Sequence, residues 1–310
     1  MSAAIKTAAA AAVLSAVAMG SAHAAVLDLS KLVGGANVYS FTNFSAPSAD
    51  VQGAVVAAGN VSVSSYSIND KNKDAYGHYS LIAGGNFTLN GGDVFNGDAY
   101  VGGKTKLTSA TTATPVQSGK SPVNFAAVSS SLTQTSKALD QLKTTAQAEE
   151  KWGGVYLTGS NKAVEVIDIN ASWLKNSTYY DLSGFAKNAT LIVNVSGNSA
   201  LFQGGYSAFD GYNVLFNFAD ATSLNINTGA NLSILAPKAA VNGGQGVING
   251  NVVVDSWASQ VQINSGNFFK AANVLGFTQP VPEPETYAML LAGLGVIGFM
   301  ARRRQQAAAR

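Results

Sequence analysis

The chain has 310 residues, of which 47% are hydrophobic and only 12% are charged, with 32 glycines, two histidines and no cysteine. The lack of cysteine excludes disulfides, thiolate zinc sites, iron–sulfur clusters and a cysteine nucleophile, and His23 and His78 alone offer little for metal binding or acid–base catalysis. All four arginines lie within the last nine residues, so the nearly neutral remainder has no basic face of the kind that binds nucleic acid.

The first 24 residues are typical of a secretory signal peptide. Lys6 supplies a positive charge, an apolar run covers residues 7–19, and Ala22-His23-Ala24 is a cleavage site of the A-x-A type. An alanine-rich amphipathic helix is the alternative, but the run lacks polar residues at helical spacing. We therefore expect export by a Sec-type machinery, with cleavage between Ala24 and Ala25.

After the first 24 residues, glycine recurs in an imperfect repeat. A short strand, a glycine, a polar residue and another alternating strand recur at residues 59–63, 85–89, 103–107 and 250–254. Such recurrence is the sequence sign of a coiled β array. We expect each glycine to adopt a positive φ at a corner, where a side chain would clash.

The alternation within each strand predicts a mainly β fold. Stacked strands would bury Val, Leu, Ile and Phe in one continuous core and turn Ser, Thr and Asn outward. A two-sheet sandwich would show the same alternation. Because the repeated unit is a corner and not a hairpin, the sequence favours a β-solenoid (β-helix-like) with one long flanking α-helix.

Two candidate sites lie between the first repeats. Asp70, Asn72 and Asp74 resemble the start of a calcium loop, but that loop needs glycine at position 6 and glutamate at position 12, where this chain has Ala75 and Leu81. We interpret the segment as a solvated loop. His78 could act as a lone general base, yet no nucleophile can be paired with it. We therefore predict no catalytic, cofactor-binding or metal-binding residues.

One segment breaks the β pattern. Ser121 and Pro122 suit the N-cap and the first position of a helix, and apolar residues then recur at steps of three and four or their multiples. These residues are Phe125, Val128, Leu132, Leu139, Leu142 and Ala146. The pattern predicts one amphipathic helix over residues 122–151, with its stripe packed on the β array. A helix on a membrane surface is the alternative, but it would need a basic polar face.

The β pattern resumes after this helix. Strands are predicted at residues 154–158, 162–169, 189–195, 213–218, 223–227, 231–235 and 246–254. The aromatic residues of this half include Trp152, Trp173, Trp257, Tyr179, Tyr180 and Tyr206. They could form a platform on which sugar rings stack, but we favour their burial in the core.

The C-terminus has three parts: an extended proline spacer, an uncharged run over residues 287–301 and a basic cluster. The residues of the spacer and the cluster are Pro282, Glu283, Pro284, Arg302, Arg303 and Arg304. The run is short for a spanning helix, but snorkelling arginines can lengthen it and hold it on the cytoplasmic side. We expect a transmembrane helix at residues 287–301. A helix buried in the main domain is the alternative.

This terminus resembles the PEP-CTERM sorting signal of Gram-negative bacteria, over residues 281–310. The resemblance implies recognition by exosortase, an integral-membrane cysteine peptidase, with cleavage at or near residues 282–284. It also implies a precursor anchored in the inner membrane and a product released to, or attached at, the cell surface. Proteins with this signal are commonly associated with exopolysaccharide and the biofilm matrix.

The body of the chain resembles the choice-of-anchor A domain. The matching stretches are residues 37–41, 50–53, 84–86, 123–127, 212–218, 221–222, 233–237 and 248–250. The resemblance implies a bacterial surface domain and brings no activity with it. Leu235-Ala236-Pro237 and Ile248-Asn249-Gly250 also resemble parts of the β-solenoid of ice-binding adhesins, which likewise has a long flanking helix.

We thus expect a signal peptide (residues 1–24), a β-solenoid domain (25–280) and a sorting signal (281–310). The expected function is a non-enzymatic structural or interaction role at the cell surface or in the extracellular matrix, without a cofactor or nucleic acid. A module that binds carbohydrate or ice is the alternative. It would need a flat face of repeated threonine or aromatic residues, and Ser62, Thr88 and Thr105 give only an irregular one. A polysaccharide-active enzyme is disfavoured, because residues 25–281 hold no arginine and one histidine.

Overall fold

The computed structural model describes residues 24–280, and strands make up 48% and helices 11% of them. The prediction of a mainly β fold is confirmed. The sorting residues, the predicted transmembrane helix at residues 287–301 and all of the signal segment before Ala24 lie outside the described residues. Within residues 24–280, no helix has the length and apolar character needed to cross a membrane.

Ten strands and one short helix precede the main helix. They are β1 (Ala24–Leu27), α1 (Leu29–Leu32), β2 (Val38–Ser40), β3 (Phe44–Ala46), β4 (Ala49–Val51), β5 (Val55–Ala57), β6 (Val61–Ile68), β7 (Tyr79–Ala83), β8 (Phe87–Val94), β9 (Asp98–Val101) and β10 (Thr105–Thr112). The main helix is α2 (Phe125–Asp140).

The second half adds fourteen strands, one α-helix and a single 3₁₀ turn. They are β11 (Gln147–Lys151), β12 (Gly154–Thr158), β13 (Val164–Asn170), α3 (Ala171–Asn176), β14 (Tyr179–Ser183), β15 (Thr190–Ser196), β16 (Ser199–Phe202), the 3₁₀ turn (Ser207–Phe209), β17 (Asn213–Asn217), β18 (Ser223–Ile226), β19 (Gly229–Ala230), β20 (Ser233–Asn242), β21 (Val247–Asn249), β22 (Val252–Ala258), β23 (Gln262–Asn264) and β24 (Ala272–Leu275).

Most strands pair in parallel, in three long ladders. The first ladder runs β13, β15, β17, β20, β22, β2, β5, β7, β9. The second runs β16, β18, β20, β22, β3, β6, β8, β10. The third runs β19, β21, β23, β4, β6, β8, β10. The long strands turn a corner and so belong to two ladders.

The N-terminal strands lie in the middle of this array and not at one end. Val38 of β2 pairs with Val252 on one side and with Val55 on the other. The C-terminal strand β24 returns to pair antiparallel with β1, where Ala25 lies opposite Val274. The two ends of the described chain therefore meet, and residues about 200 positions apart in sequence close the fold.

The first ladder is buried on both sides. Its inward side chains, such as Val55 and Leu81, join a core enclosed by the three ladders. Its outward side chains, such as Val56 and Ile82, form a second core with residues of α2. Burial on both sides accounts for the continuous apolar runs of these strands, because neither side can carry polar groups without partners.

The flanking helix packs as predicted but is much shorter than residues 122–151. Leu132 and Leu139 are fully buried against the first ladder, which confirms the predicted packing. The helix begins after Asn124, whose side chain accepts a hydrogen bond from the Ala127 N–H, whereas Ser121 bonds to Val123. Ser121 is therefore not the cap.

The helix ends at Asp140, and the chain beyond it bonds to β13 instead. The backbone N–H groups of Thr145 and Ala146 both donate to the Val166 carbonyl, and residues 147–151 then form β11. Leu142 and Ala146 still fall at helical spacing and are buried. The apolar stripe thus continues beyond the end of the helix, so spacing alone extended the prediction too far.

Packing explains the repeated glycines better than a positive φ does. Of the four, Gly250 has a positive φ of +159°, whereas Gly59, Gly85 and Gly103 do not, so the expectation was wrong for these three. A Cβ on Gly85 would lie 2.5 Å from the Asn60 Oδ1 and 3.0 Å from the backbone of Gly59. Positive φ occurs instead at the corner within the long strands, at Ser65, Gly91 and Ser109.

The polar residues after the first three repeated glycines form a hydrogen-bonded ladder that begins at Asn43. Asn43 Oδ1 accepts a hydrogen bond from the Asn60 N–H, Asn60 Oδ1 from the Asn86 N–H, and Asn86 Oδ1 from the Lys104 N–H. Each asparagine thus satisfies the backbone of the next corner. The glycine before each asparagine has no side chain, and the asparagine side chain of the preceding corner occupies that space, as Asn60 does beside Gly85.

Candidate functional site

A three-stranded sheet at one end of the array displays aromatic side chains. β11 pairs antiparallel with β12, so that Glu149 lies opposite Tyr156, and β12 pairs in parallel with β14, so that Tyr156 lies opposite Asp181. Alternation places Val155 and Tyr180 on the other side, in the core. We call the outward side the aromatic face. It comprises Gln147, Glu149, Lys151, Trp152, Tyr156, Thr158, Tyr179, Asp181 and Ser183.

Three rings of the aromatic face contact one another edge to face. The Trp152 and Tyr156 ring centroids are 5.7 Å apart, and those of Tyr156 and Tyr179 are 5.9 Å apart, with interplanar angles of 88° and 82°. The Lys151 Nζ lies 4.9 Å from the Trp152 ring centroid and 4.8 Å from that of Tyr156. These contacts orient the rings without covering them. Trp152 is 81% exposed and Tyr179 is 37% exposed.

The turn that carries Trp152 uses an unusual residue. Trp152 has φ +50° and Gly153 has φ +76°, as in the type I′ turns that join two strands, where Asn-Gly is the common pair. A bulky side chain is unfavourable at positive φ. The indole therefore stands in solvent at a position where Asn would suit the backbone better.

Gly154 holds Tyr179 in place. A Cβ on Gly154 would lie 2.4 Å from the Tyr179 ring, so the ring lies directly over the backbone of β12. The Tyr179 hydroxyl then bonds to that of Tyr156, and this hydrogen bond raises the pKa of Tyr156 to about 12. Tyr156 is thus neutral at physiological pH and can donate or accept a hydrogen bond.

A groove of about 660 Å³ lies along the aromatic face. Its charged groups are Glu149, Lys151 and Asp181, and the Lys151 Nζ forms an ion pair with the Glu149 carboxylate at 2.8 Å. Within the described residues Asp181 has no side-chain partner. The groove thus combines the Tyr156 ring with hydroxyl, amide and carboxylate groups, and its charged side chains carry one net negative charge. The Trp152 and Tyr179 rings contact Tyr156 from outside the groove lining.

The aromatic residues considered from sequence fall into two groups. Trp257 stacks on Phe44 in the core, with ring centroids 6.1 Å apart, and Tyr180 and Tyr206 are also buried. Trp173 is partly buried against the same core. The favoured burial is correct for these four residues and wrong for Trp152 and Tyr179.

Tyr156 is a member of the aromatic face that sequence reasoning missed. The available signal was the Trp-Gly pair between two alternating segments, which is the position of a two-residue hairpin turn. Recognition of that hairpin would have placed Tyr156 beside Trp152 on one side of the sheet. The predicted helix over residues 122–151 covered the first strand and hid the signal.

The other candidate residues do not assemble into a site. The His78 ring is exposed, lies 4.3 Å from the Tyr79 ring and has its Nε2 3.4 Å from an Asp98 oxygen. In the calcium-like segment, Asp70 pairs with Lys71 and Asp74 accepts a hydrogen bond from Asn69. Among residues 24–280, no group of three or more His, Cys, Asp or Glu side chains could hold a metal ion.

The hydroxyl-bearing residues form short columns that charged residues interrupt. Ser45, Ser62, Thr88 and Lys106 lie opposite one another on the second ladder, and Asp50, Ser67, Asp93 and Thr111 on the third. The Asp50 and Asp93 carboxylates accept hydrogen bonds from the Ser67 and Thr111 N–H groups. These columns are irregular, as the sequence suggested.

Of the predicted processing residues, only Ala24 and Ala25 belong to the described part, where they lie in β1. Ala22 and the sorting residues lie outside it. Cleavage between Ala24 and Ala25 stays a prediction. It would remove one residue of β1 and leave the pairing of Ala25 with Val274.

Family models match two parts of the chain. The ice-binding-like adhesive domain matches residues 31–265, which is most of the length. The chain belongs to this family. A PEP-CTERM protein-sorting motif matches residues 280–304, in agreement with the resemblance of the C-terminus. No curated protein and no solved structure matches the chain.

These two matches define what kind of protein this is. The sorting motif implies an exported protein that exosortase processes, and together with the adhesive domain it implies a location at the cell surface. The same pair suggests a non-enzymatic role. The resemblance to the choice-of-anchor A domain stays a prediction.

Proposed function

We propose that this protein is a non-enzymatic adhesive component of the bacterial cell surface or extracellular matrix, built as a β-solenoid with one flanking helix. The observation that carries the proposal is the order of the two matches: an adhesive domain over residues 31–265 is followed by a sorting motif over residues 280–304. An adhesive domain can act only outside the cell, where it contacts other surfaces, and the sorting motif directs the protein to the cell surface.

The direction of the strands supports a solenoid and argues against a sandwich. A sandwich is built from antiparallel strands, whereas the three long ladders are parallel throughout. Among the named strands of residues 24–280, only the pairs β1–β24 and β11–β12 are antiparallel. Asparagine ladders at the corners and two apolar cores fit a stack of coils that covers one of its faces with α2.

The route to the surface follows from the two terminal segments. In this proposal a Sec-type machinery exports the chain, cleavage after Ala24 removes residues 1–24, and the predicted transmembrane helix at residues 287–301 anchors the precursor in the inner membrane. Exosortase then cleaves at or near residues 282–284. The last strand ends at Leu275, so this cut leaves the solenoid domain of residues 25–280 whole. Exopolysaccharide is the proposed partner of the released domain.

Intact mass and cell fractionation test this proposal. In producing cells we expect a surface or extracellular product that begins at Ala25 and ends near residues 282–284. Deletion of the exosortase, or replacement of Pro282, Glu283 and Pro284 by alanine, should leave a membrane-bound precursor that retains Arg310. The matched control is Glu285→Ala, next to the triplet, which should be processed normally. A full-length chain that stays in the cytosol of wild-type cells would contradict the proposal.

A further inference from the structure

We propose that the aromatic face is a carbohydrate-binding site that stacks a pyranose ring of a non-acidic polysaccharide on Trp152. The inference rests on the proposed adhesive function and names the class of molecule to which the protein attaches. It assigns a role to a sheet that lies outside the three long ladders and to side chains that the fold itself does not need.

The first argument is the exposure of Trp152. Its side chain is 81% exposed and contributes little to either core. Tyr156 and Tyr179 stand beside it on the same side of the sheet. Large exposed apolar groups that cluster in this way mark binding surfaces far more often than scattered ones do.

The second argument is the backbone at Trp152. A tryptophan with φ +50° is strained, whereas asparagine or glycine would adopt this conformation readily. Strained residues that the fold does not require are concentrated at functional sites. The turn holds the indole edge to face against the ring of Tyr156, which lines the groove.

The third argument is the chemistry of the groove. A pyranose ring presents C–H groups on its faces and hydroxyl groups around its edge. The C–H groups pack on the electron-rich faces of indole and phenol rings. The hydroxyl groups need both donors and acceptors, which the Lys151 ammonium, the Tyr156 hydroxyl and the Asp181 carboxylate supply beside the rings. A binding site of this kind needs only a few such groups to fix the orientation of its ligand.

Charge decides the type of polysaccharide. The ammonium of Lys151 is already paired with the Glu149 carboxylate, and the Asp181 carboxylate remains available. A uronic-acid polymer would bring its carboxylates next to Asp181, which like-charge repulsion disfavours. Neutral and N-acetylated hexose polymers carry no such charge. We therefore expect the groove to prefer them.

Trp152→Asn is the decisive variant, because it removes the ring and suits the turn. The exported protein, purified from producing cells, would be titrated with cellohexaose, chitohexaose and hexagalacturonate by calorimetry and by tryptophan fluorescence. We expect binding of cellohexaose or chitohexaose with a blue shift of the emission. Trp152→Asn should weaken this binding at least tenfold, and Trp152→Phe should restore part of it.

Two controls keep the result specific. Phe95→Ser removes another exposed ring, at residue 95 between β8 and β9, and should leave binding unchanged. Sedimentation should show the same oligomeric state for Trp152→Asn and the wild-type protein. If the variant changes that state, the face binds a second copy of the chain and the proposal is wrong.

Three further results would overturn the proposal: no binding to any of the three probes, equal binding by Trp152→Asn, or the tightest binding to hexagalacturonate. Each differs from a failure of the proposed function. Delivery to the surface is measured by fractionation and mass, so a correctly delivered protein that binds no oligosaccharide overturns only the carbohydrate site.

Discussion

The outward side of the first ladder and the aromatic face are both sides of β-sheets that point away from the inner core, and they differ in what lies against them. On the first ladder, Tyr39, Val56 and Ile82 are fully buried in the second core, to which α1 and α2 contribute Leu29, Leu132 and Leu139. On the aromatic face, Tyr156 and Tyr179 stand among charged side chains with nothing described above them. The same strand geometry thus serves stability where it is covered and recognition where it is open.

Polar groups follow the same division. Under the helix, the Asn217 amide donates hydrogen bonds to the Ser136 carbonyl and to Asn194 Oδ1, and the Asn194 amide donates to the Leu139 carbonyl. All these groups are buried, so each needs a protein partner. On the open faces, asparagine side chains bond along the array and remain accessible to water. A covered polar group therefore fixes the position of the helix, whereas an open one mainly supports its neighbour.

Loss of a covered side chain should have the largest effect on stability. Leu139→Ala leaves a cavity between α2 and the first ladder, and we expect the free energy of unfolding to fall by about 2–5 kcal/mol. Lys137→Ala, on the exposed side of the same helix, should change it by less than about 0.5 kcal/mol. Urea denaturation measures both. A loss of less than about 1 kcal/mol for Leu139→Ala would mean that the helix rests only loosely on the ladder.

A substitution at Gly85, the corner between β7 of the first ladder and β8 of the second, should have an intermediate effect on stability. Gly85→Ala places a Cβ 2.5 Å from Asn60 Oδ1 and 3.0 Å from the Gly59 backbone, and such overpacking costs about 1–3 kcal/mol.

Gly266→Ala is the matched control for the corner variant, because its Cβ would meet nothing within 4 Å. Thermal unfolding of the two variants should differ clearly. Equal melting temperatures would show that the corner yields easily and that the glycines are kept for another reason.

Local pattern predicted more of this fold than of its assembly. The glycine–polar pairs located the first residues of β6, β8 and β10, because each of these strands follows such a pair directly. They did not show that each strand continues beyond residues 63, 89 and 107, around a corner into the next ladder. The spacing of the repeats could not predict that β2 lies between β22 and β5. Each coil has similar strands, so the sequence pattern does not specify which coil pairs with which. The apolar spacing through Leu142 and Ala146 made the predicted helix too long. These two residues are buried, but they lie in a non-helical segment after the helix, so burial at helical spacing does not require a helix.

The candidate site was hidden for a related reason. Sequence can show that Trp152 and Tyr179 are aromatic and that neighbouring residues alternate, but exposure depends on whether another element covers that side of the sheet. Trp257 and Tyr206 are also aromatic residues in or next to strands or turns, and they lie in the core. Only the pairing of β11, β12 and β14 separates the two groups, and its parallel pairs, such as Gly154 with Tyr179, are 25 positions apart in sequence.

The smallest effect on stability is expected at Trp152 itself. Trp152→Asn loses an exposed edge-to-face contact with Tyr156, worth about 0.5–1.5 kcal/mol, and an exposed contact with the Lys151 ammonium, worth about 0.5–1 kcal/mol. It also relieves a left-handed strain of about 1–2 kcal/mol. These terms nearly cancel, so we expect the free energy of unfolding to stay within about 1 kcal/mol of the wild-type value. Urea denaturation of the purified variant measures it. A fall of more than about 1 kcal/mol would mean that the indole supports the hairpin; a level or raised stability would mean that the fold tolerates a less favourable residue there, as a binding residue requires.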